Sequence, residues 1–491
     1  MFRRIRHVSL DANATTPLAP AVRRRMIEIL EEYPGNPSAV YRAGREAVGI
    51  IEIARKQVAA AINASPGEII FNSGATEGNN MVLRMLAAQA TPQRNRLLTT
   101  PVEHSSVHAV AEQLATEGID VTWLPVDAHG RVTPDDLAAA LDERVFLVSC
   151  MLANNELGTI NPLAELLALT RRAGIPLHAD CVQALGKIPL DVHALGMDYA
   201  TFSAHKLYGP KGVGVVYVRE GAAVKAMAYG GQQEHGLRAG TEATHNIAGC
   251  GEAFAGVPAL LAKAPHIKRC RDHLLARLRE LKPDLVENSP RELHVCNTLN
   301  VRFPGVRNAD LLAYLDVNGI EVSAGSACAA RGGAVSHVLK AIGLDETAAQ
   351  ESLRFSLSAA VSDKDIDYVV CRIGEFLRGE APPITIVSPA RVDAAFLNDA
   401  QNYILDVRLG IERRLVKAMP GAHEIPFIGF GRHLDAVPKE RNVLVVCSTG
   451  IDASIVAHAL KLRGHPRVGL LLGGQAAWIV AHPSLHRHRS S

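Results

Sequence analysis

The sequence has no Cys-x-x-Cys pair and no Cys/His cluster with zinc-ligand spacing. No metal site is therefore expected. Its eight cysteines are scattered over 491 residues, at 150, 181, 250, 270, 296, 328, 371 and 447. That usage fits a reducing cytoplasm, with most thiols serving as small core residues and one or two reactive. No run of ~18 or more uncharged apolar residues occurs, so no membrane span is predicted. The opening MFRRIRHVSLDANATT is basic but has no apolar stretch behind it, which argues against a secretory signal. A charge excess is missing too. The formal net charge is +2 with 21% charged residues, so neither a general nucleic-acid grip nor a membrane-surface stripe is indicated. There is no fixed-period repeat and no low-complexity tract.

What is present is a soluble globular composition, 48% hydrophobic, on a chain too long for one ordinary core. Two or three domains are expected. The clearest seam is Arg378-Gly-Glu-Ala-Pro-Pro-Ile384, where a helical stretch ends and two prolines follow. A boundary near 380 leaves about 110 residues, enough for a small independent domain. Before the seam, strands at 145–150, 176–180, 199–203 and 214–218 alternate with helical spacing, as at 162–173, which Gly174 stops. This alternation predicts a mostly parallel α/β sheet covered by helices. Ligands of such sheets sit at the carboxyl ends of the strands. After the seam the pattern resumes on a smaller scale, with strands at 403–407, 442–447 and 467–472 and a helix at 454–463.

Five stretches carry residues suited to chemistry. Lys206, in Ser203-Ala-His205-Lys206-Leu-Tyr-Gly209, follows a strand in a Gly/Pro-rich turn. It is either a solvated loop lysine or an amine that bonds an aldehyde cofactor. Asp180 ends a strand, where a carboxylate either caps a helix or pairs with a protonated pyridine nitrogen. Ser73-Gly74-Ala75-Thr76-Glu77 opens a helical segment, an ordinary cap or a phosphate cradle. Cys328 lies in a small, Gly-rich segment with Arg331 nearby, as an incidental loop cysteine or a thiol that ionises and attacks. Cys447 ends a strand and starts Cys447-Ser-Thr-Gly450-Ile-Asp452, as a buried strand-end residue or a thiolate held by helix-start amides.

Each signal has two readings, but their order along the chain has a clear precedent. Ten motifs recur in sequence between about 8 and 375. They are Leu10-Asp-Ala-Asn-Ala-Thr-Thr16, Gly35-Asn-Pro-Ser38, the 73–77 stretch, Val102-Glu-His104 and Ala153-Asn-Asn-Glu-Leu-Gly-Thr159. His178-Ala-Asp-Cys-Val-Gln183, Ser203-Ala-His-Lys206, Gly236-Leu-Arg-Ala-Gly-Thr241, Ser326-Ala-Cys328 and Leu353-Arg-Phe-Ser356 complete the set. With them the chain resembles the cysteine desulfurases of the pyridoxal-phosphate (PLP) fold-type-I aminotransferase superfamily. The segment 388–486 resembles a rhodanese-like domain through Leu405-Asp-Val-Arg408, Pro420-Gly-Ala-His-Glu-Ile-Pro426, the Cys447 loop and Gly473-Gly-Gln-Ala-Ala-Trp478. The first resemblance implies a desulfurase over 1–380, with a large domain at 16–255 and a small domain from the N-terminal segment and 256–378. Residues 381–387 are expected to link it to the rhodanese-like unit.

The resemblance also implies roles. Lys206 would hold PLP and take the substrate's α-proton. Asp180 would pair with the ring nitrogen, Gln183 would meet the ring hydroxyl, and His104 would stack on the ring and help move protons. Thr76, Ser203 and His205 would bind the phosphate, and Thr241 would reach the phosphate of a second subunit in a homodimer. Asn155, Arg354 and Asn13 would hold substrate, with arginine suited to a carboxylate. L-cysteine would give its sulfur to Cys328, leaving alanine. Cys447 would be the next carrier before an acceptor such as an iron–sulfur scaffold, a tRNA-thiolation protein or a sulfur-carrier protein. The alternative is a PLP lyase acting on a related amino acid such as selenocysteine, with the rhodanese-like unit a docking module. Two departures from the family pattern stand out: Ala12 replaces a usual Asn, and Cys181 a usual Ala. In the rhodanese-like loop, Asp452 stands where the family often has Arg, which should raise the pKa of the Cys447 thiol.

Overall fold

The computed structural model describes residues 6–325, 335–380, 384–483 and 485. A seven-stranded sheet organises the first body. Its order is Ile69–Asn72, Gly214–Val218, Tyr199–Ser203, Leu177–Asp180, Val145–Ser149, Arg96–Thr99, Asp120–Trp123. Neighbours pair in parallel except at Gly214–Val218, which runs antiparallel to both of its partners. The strands Val145–Ser149, Tyr199–Ser203 and Gly214–Val218 are buried along their whole length, as a sheet covered on both faces requires, whereas the edge strand Asp120–Trp123 is half-buried. The helix Ala75–Ala87 lies close on the sheet because Gly78 has no side chain. A Cβ there would sit 2.8 Å from both Thr201 Cγ2 and Val216 Cγ2.

The second body holds the antiparallel sheet Ser352–Ser356, Thr298–Arg302, Val286–Glu287. The helices Val257–Leu281 and Asp363–Leu377 cover it. Its core includes Leu274, Leu278, Val301, Phe355 and Val369, together with Val8 and Leu10 from the N-terminal segment. Val8–Ser9 pairs in parallel with Ile320–Glu321. The chain therefore starts in this second body and crosses the first at residues 11–16, where Asn13 and Thr16 are buried.

The C-terminal unit is a five-stranded, all-parallel sheet: Thr385–Val387, Val468–Leu471, Asn442–Val446, Asn402–Asp406, His423–Glu424. The expected linker thus ends earlier than its two prolines suggest. Residues 385–387 form an edge strand paired with 469–471. The unit is also more than tethered. The helix Ile451–Leu462, which follows the Cys447 loop, packs along Asn308–Val317 of the second body. There Tyr314 meets His458 edge to face, ring centres 6.3 Å apart.

Candidate active site

The carboxyl ends of four parallel strands and the start of one helix open onto a cavity of about 600 Å³. The sheet places Asp180 and Ser203 directly at strand ends, and Asn155 and His104 a few residues beyond theirs. The antiparallel strand Gly214–Val218 brings Lys211 and Gly212 to the same rim. Gly214 is needed there, since a Cβ would approach Gly74 Cα to 2.6 Å.

Lys206 sits in the one-turn helix Ala204–Lys206, directly after its strand. Its Nζ donates to the carbonyls of Asn13 and Ala14, each at 2.6 Å. Asp180 is 3% exposed. Its Oδ2 accepts from Asn79 Nδ2 at 2.8 Å and its Oδ1 from the Val182 amide at 3.0 Å. No helix starts at Asp180; it closes a turn instead, and its carboxylate faces the cavity. His104 caps the helix Ser105–Thr116, with Nδ1 accepting from the Ser106 amide at 3.2 Å. That leaves the ring proton on Nε2 in the neutral form. Burial first, and then Lys206, push the pKa of His104 down. His205 is held near 4 by burial and by Lys206 and Lys211, and its Nδ1 meets Thr15 Oγ1 at 3.1 Å.

Gly74, at φ 151°, starts the 13-residue helix Ala75–Ala87 with no side-chain cap, and Thr76 lines the cavity beside it. Uncapped amides and the positive end of the helix dipole favour a phosphate there. On the opposite wall Arg354 is 1% exposed. Its Nη2 meets Asp11 at 2.7 Å and its Nη1 the Asn155 carbonyl at 3.1 Å, while its buried Nε has no partner among the described residues. Asn155 Oδ1 is likewise buried without a partner among the described residues.

Of the residues expected from the sequence, Asn13, Thr76, His104, Asn155, Asp180, Gln183, Ser203, His205, Lys206 and Arg354 all line this one cavity. Asn13, however, spends its amide on the protein. Its Nδ2 donates to the Asn155 carbonyl and Thr298, and its Oδ1 accepts from Asn297 and Lys187. It holds the wall in shape; direct side-chain contact with substrate would break those bonds. Thr241 is exposed and does not line this cavity. Cys328 lies outside the described residues. On the side that precedes it, Ser323 pairs with Arg354, and on the side that follows, Ser336 Oγ donates to Glu156 Oε2 at 2.6 Å.

Cys447 lies in the C-terminal unit, 2% exposed. Its Sγ accepts from the amides of Gly450 at 3.0 Å and Ala453 at 3.4 Å. Its pKa is raised, mainly by burial; the amides oppose this and Asp452 adds to it. The acidic neighbour therefore acts in the expected direction but is not the leading cause.

Three residues at the site carry no role in the motif reading. Asn79 fixes Asp180 while its Oδ1 accepts from Thr201. Glu103 is fully buried, with Oε2 unpartnered among the described residues, and burial raises its pKa to about 8. Lys187 bonds Gln183 and Asn13. The available signals were slight: Asn79 is one helical turn beyond Thr76, and Lys187 lies four residues beyond Gln183.

Similarity to known proteins agrees with this geometry. Residues 8–369 match the model of the class-V aminotransferases, and 388–481 that of the rhodanese-like domain. The chain belongs to the class-V aminotransferase family. A cysteine desulfurase IscS of Dictyoglomus turgidum is 41% identical over 383 residues, covering 77% of this chain and 97% of that protein. A cysteine desulfurase of a Nostoc species is 37% identical over 402 residues, covering 81% and 98%. Among solved structures, a NifS-like protein matches at 37% identity and a TM-score of 0.72, covering 76% of this chain and all of its own. The chain is a PLP-dependent enzyme. The cavity suits that cofactor. It offers a lysine amine, a buried carboxylate for the ring nitrogen, an uncapped helix start for the phosphate, and unpaired buried groups on Asn155 and Arg354.

Proposed function

We propose that this chain is a cysteine desulfurase that moves the sulfur of L-cysteine onto Cys328. The convergence of Lys206, Asp180, His104 and Arg354 on one cavity carries this reading. PLP, when bound, supplies the electron sink that makes the α-proton of an amino acid removable. Lys206 anchors the cofactor and moves the proton at the substrate Cα. Asp180, fixed by Asn79, keeps a proton on the ring nitrogen, and Gln183 meets the ring hydroxyl. Thr76, Ser203 and His205 bind the phosphate; His205, neutral above a pKa near 4, does so as a hydrogen-bond donor rather than as a charge. Arg354 takes the substrate carboxylate with its Nε, which has no partner among the described residues, and Asn155 takes it with the NH₂ of its side-chain amide. Cys328 thiolate then attacks the substrate sulfur. An S–S bond forms, the Cβ–S bond breaks, and the electron pair stays on carbon, which is protonated to alanine.

Sulfur then passes from the Cys328 persulfide to Cys447. That sulfur–sulfur exchange returns Cys328 as a thiolate. The C-terminal unit packs on the second body of the same chain, which raises the effective concentration of Cys447 for this exchange, and the two amides that already hold its sulfur suit an anion there. Two copies form a homodimer in which Thr241, exposed on its own subunit, completes the phosphate site of the other. The enzyme works in the cytoplasm and serves protein acceptors of sulfur, an iron–sulfur scaffold among them. A second reading, that the C-terminal unit only docks partners, is favoured by the burial of Cys447 and the presence of Asp452.

Purified enzyme supplied with PLP, L-cysteine and a thiol reductant such as dithiothreitol, which cleaves the Cys328 persulfide, should release alanine and sulfide in equal amounts, and C328A should not. Alanine production by C328A at the parent rate would rule out the nucleophile. A thiosulfate-to-cyanide assay on the full chain, with D452R alongside, separates the two readings of the C-terminal unit. Activity in the parent favours the relay; its gain only in D452R favours docking.

A further inference from the structure

Lys187 is a cation that neither the motifs nor the proposed chemistry uses. It stands one turn beyond Gln183, in the buried segment that follows the strand Leu177–Asp180. Its stem lines a small cavity of about 30 Å³, shared with Ala12, Lys206 and Asn297. Its ammonium turns toward the active site, donating to Gln183 Oε1 and, at 3.1 Å, to Asn13 Oδ1.

These two bonds fix more than their own ends. A primary amide presents an acceptor on one edge and donors on the other, and its neighbours decide which edge faces a ligand. With Oε1 committed to Lys187, Gln183 offers its NH₂ edge, which donates to the Asn13 carbonyl at 3.2 Å. Asn13 Oδ1, taken by Lys187 and Asn297, leaves its Nδ2 to hold the Asn155 carbonyl at 3.0 Å. The same carbonyl accepts from Arg354 Nη1. Lys187 thus stands where the side of the cavity facing the cofactor ring and the side facing the substrate are tied together.

We propose that Lys187 is a positioning residue for the cofactor: it sets the Gln183 amide so that donors, not an acceptor, face the ring hydroxyl. This deepens the assignment of Gln183 to that hydroxyl and rests on it. Burial, with Lys206 and Arg354 nearby, lowers the pKa of Lys187 to about 7, against a smaller opposing effect from Cys296. The function survives that titration, because a neutral amine keeps two N–H donors for its two acceptors.

The test is the visible absorbance of PLP bound to the full-length chain, followed against pH in parent, K187M, K187R and Q183A. K187M frees the amide to turn its oxygen toward the ring oxygen. It also removes the positive charge that Lys187 carries below about pH 7. Both effects favour the protonated cofactor, so its titration midpoint should rise by about one pH unit. K187R, which keeps donors and charge, should lie closer to the parent than K187M. A K187M midpoint within about 0.2 units of the parent's overturns the proposal, since that is well below one charged contact. If Q183A shifts while K187M does not, Lys187 alone has lost its role. If neither moves, the placement of Gln183 at the ring has failed as well. If K187M does not fold, K187L, which likewise lacks a donor, is read against the same thresholds.

Discussion

Arg354 meets Asp11 through Nη2 at 2.7 Å, while its buried Nε has no partner among the described residues. A guanidinium held from one side and open on another is set to receive a planar carboxylate. R354K keeps the charge but loses the fork. Its kcat/KM for L-cysteine should fall about 100-fold, the size of one strong charge-assisted hydrogen-bond pair. Cofactor absorbance should stay as in the parent. Unchanged steady-state kinetics would remove Arg354 from the substrate site.

Asn79 donates to Asp180 Oδ2 from the helix behind the cavity. N79A leaves that oxygen one donor short in a buried setting. The variant should bind PLP about tenfold more weakly, the equivalent of one charge-assisted hydrogen bond. Equilibrium dialysis against PLP checks this. N79D should be worse than N79A, because it sets a second carboxylate beside the first.

The motifs were readable because their chemistry sits where parallel strands end. Lys206, Asp180 and Ser203 each follow a short apolar run, and the order of strands, not their neighbours in space, announces them. Lys187 and Asn79 were not readable, because what matters about them is which amide or carboxylate they touch across the fold. Asp180 shows the boundary clearly. Its sequence context allowed a helix cap, and only the absence of a following helix turns it into a turn-closing carboxylate that faces the cavity. The strand at 385–387 was hidden for the same reason. Two prolines read as a linker, but pairing with 469–471 is decided by tertiary contact.

Glu103 keeps its proton in the folded chain up to about pH 8 and loses it near 4.5 when unfolded. Between those values the folded state binds the extra proton, so this group's contribution to stability is full at low pH and is lost as pH rises. His178, held near 4 by burial, works in the opposite sense. The comparison must therefore be with a variant. E103Q should gain on the parent in urea-unfolding midpoint between pH 5.5 and pH 8, values that lie about inside that window. A difference that does not change with pH would mean Glu103 is ionised in the folded chain.

Asp406 and Arg408 form a fully buried fork in the C-terminal unit, with Nη2 to Oδ2 at 2.7 Å. Arg408 also holds the Val416 carbonyl at 2.9 Å. R408A strands a buried carboxylate and should destabilise that unit by about 3–5 kcal/mol. Scanning calorimetry should then show an early transition from the C-terminal unit, while alanine production from cysteine persists below it. A single transition at the parent temperature would mean the pair contributes little.

The account turns on sulfur reaching one thiol through an amine-anchored cofactor. Its most direct test is mass spectrometry of the cysteine-treated protein, with alkylation and peptide mapping of all eight cysteines. The expected result is one added sulfur on Cys328 within the first turnover and on Cys447 later, with both absent in K206A. Persulfide on other cysteines with Cys328 unmodified, or the same labelling in K206A, would contradict it.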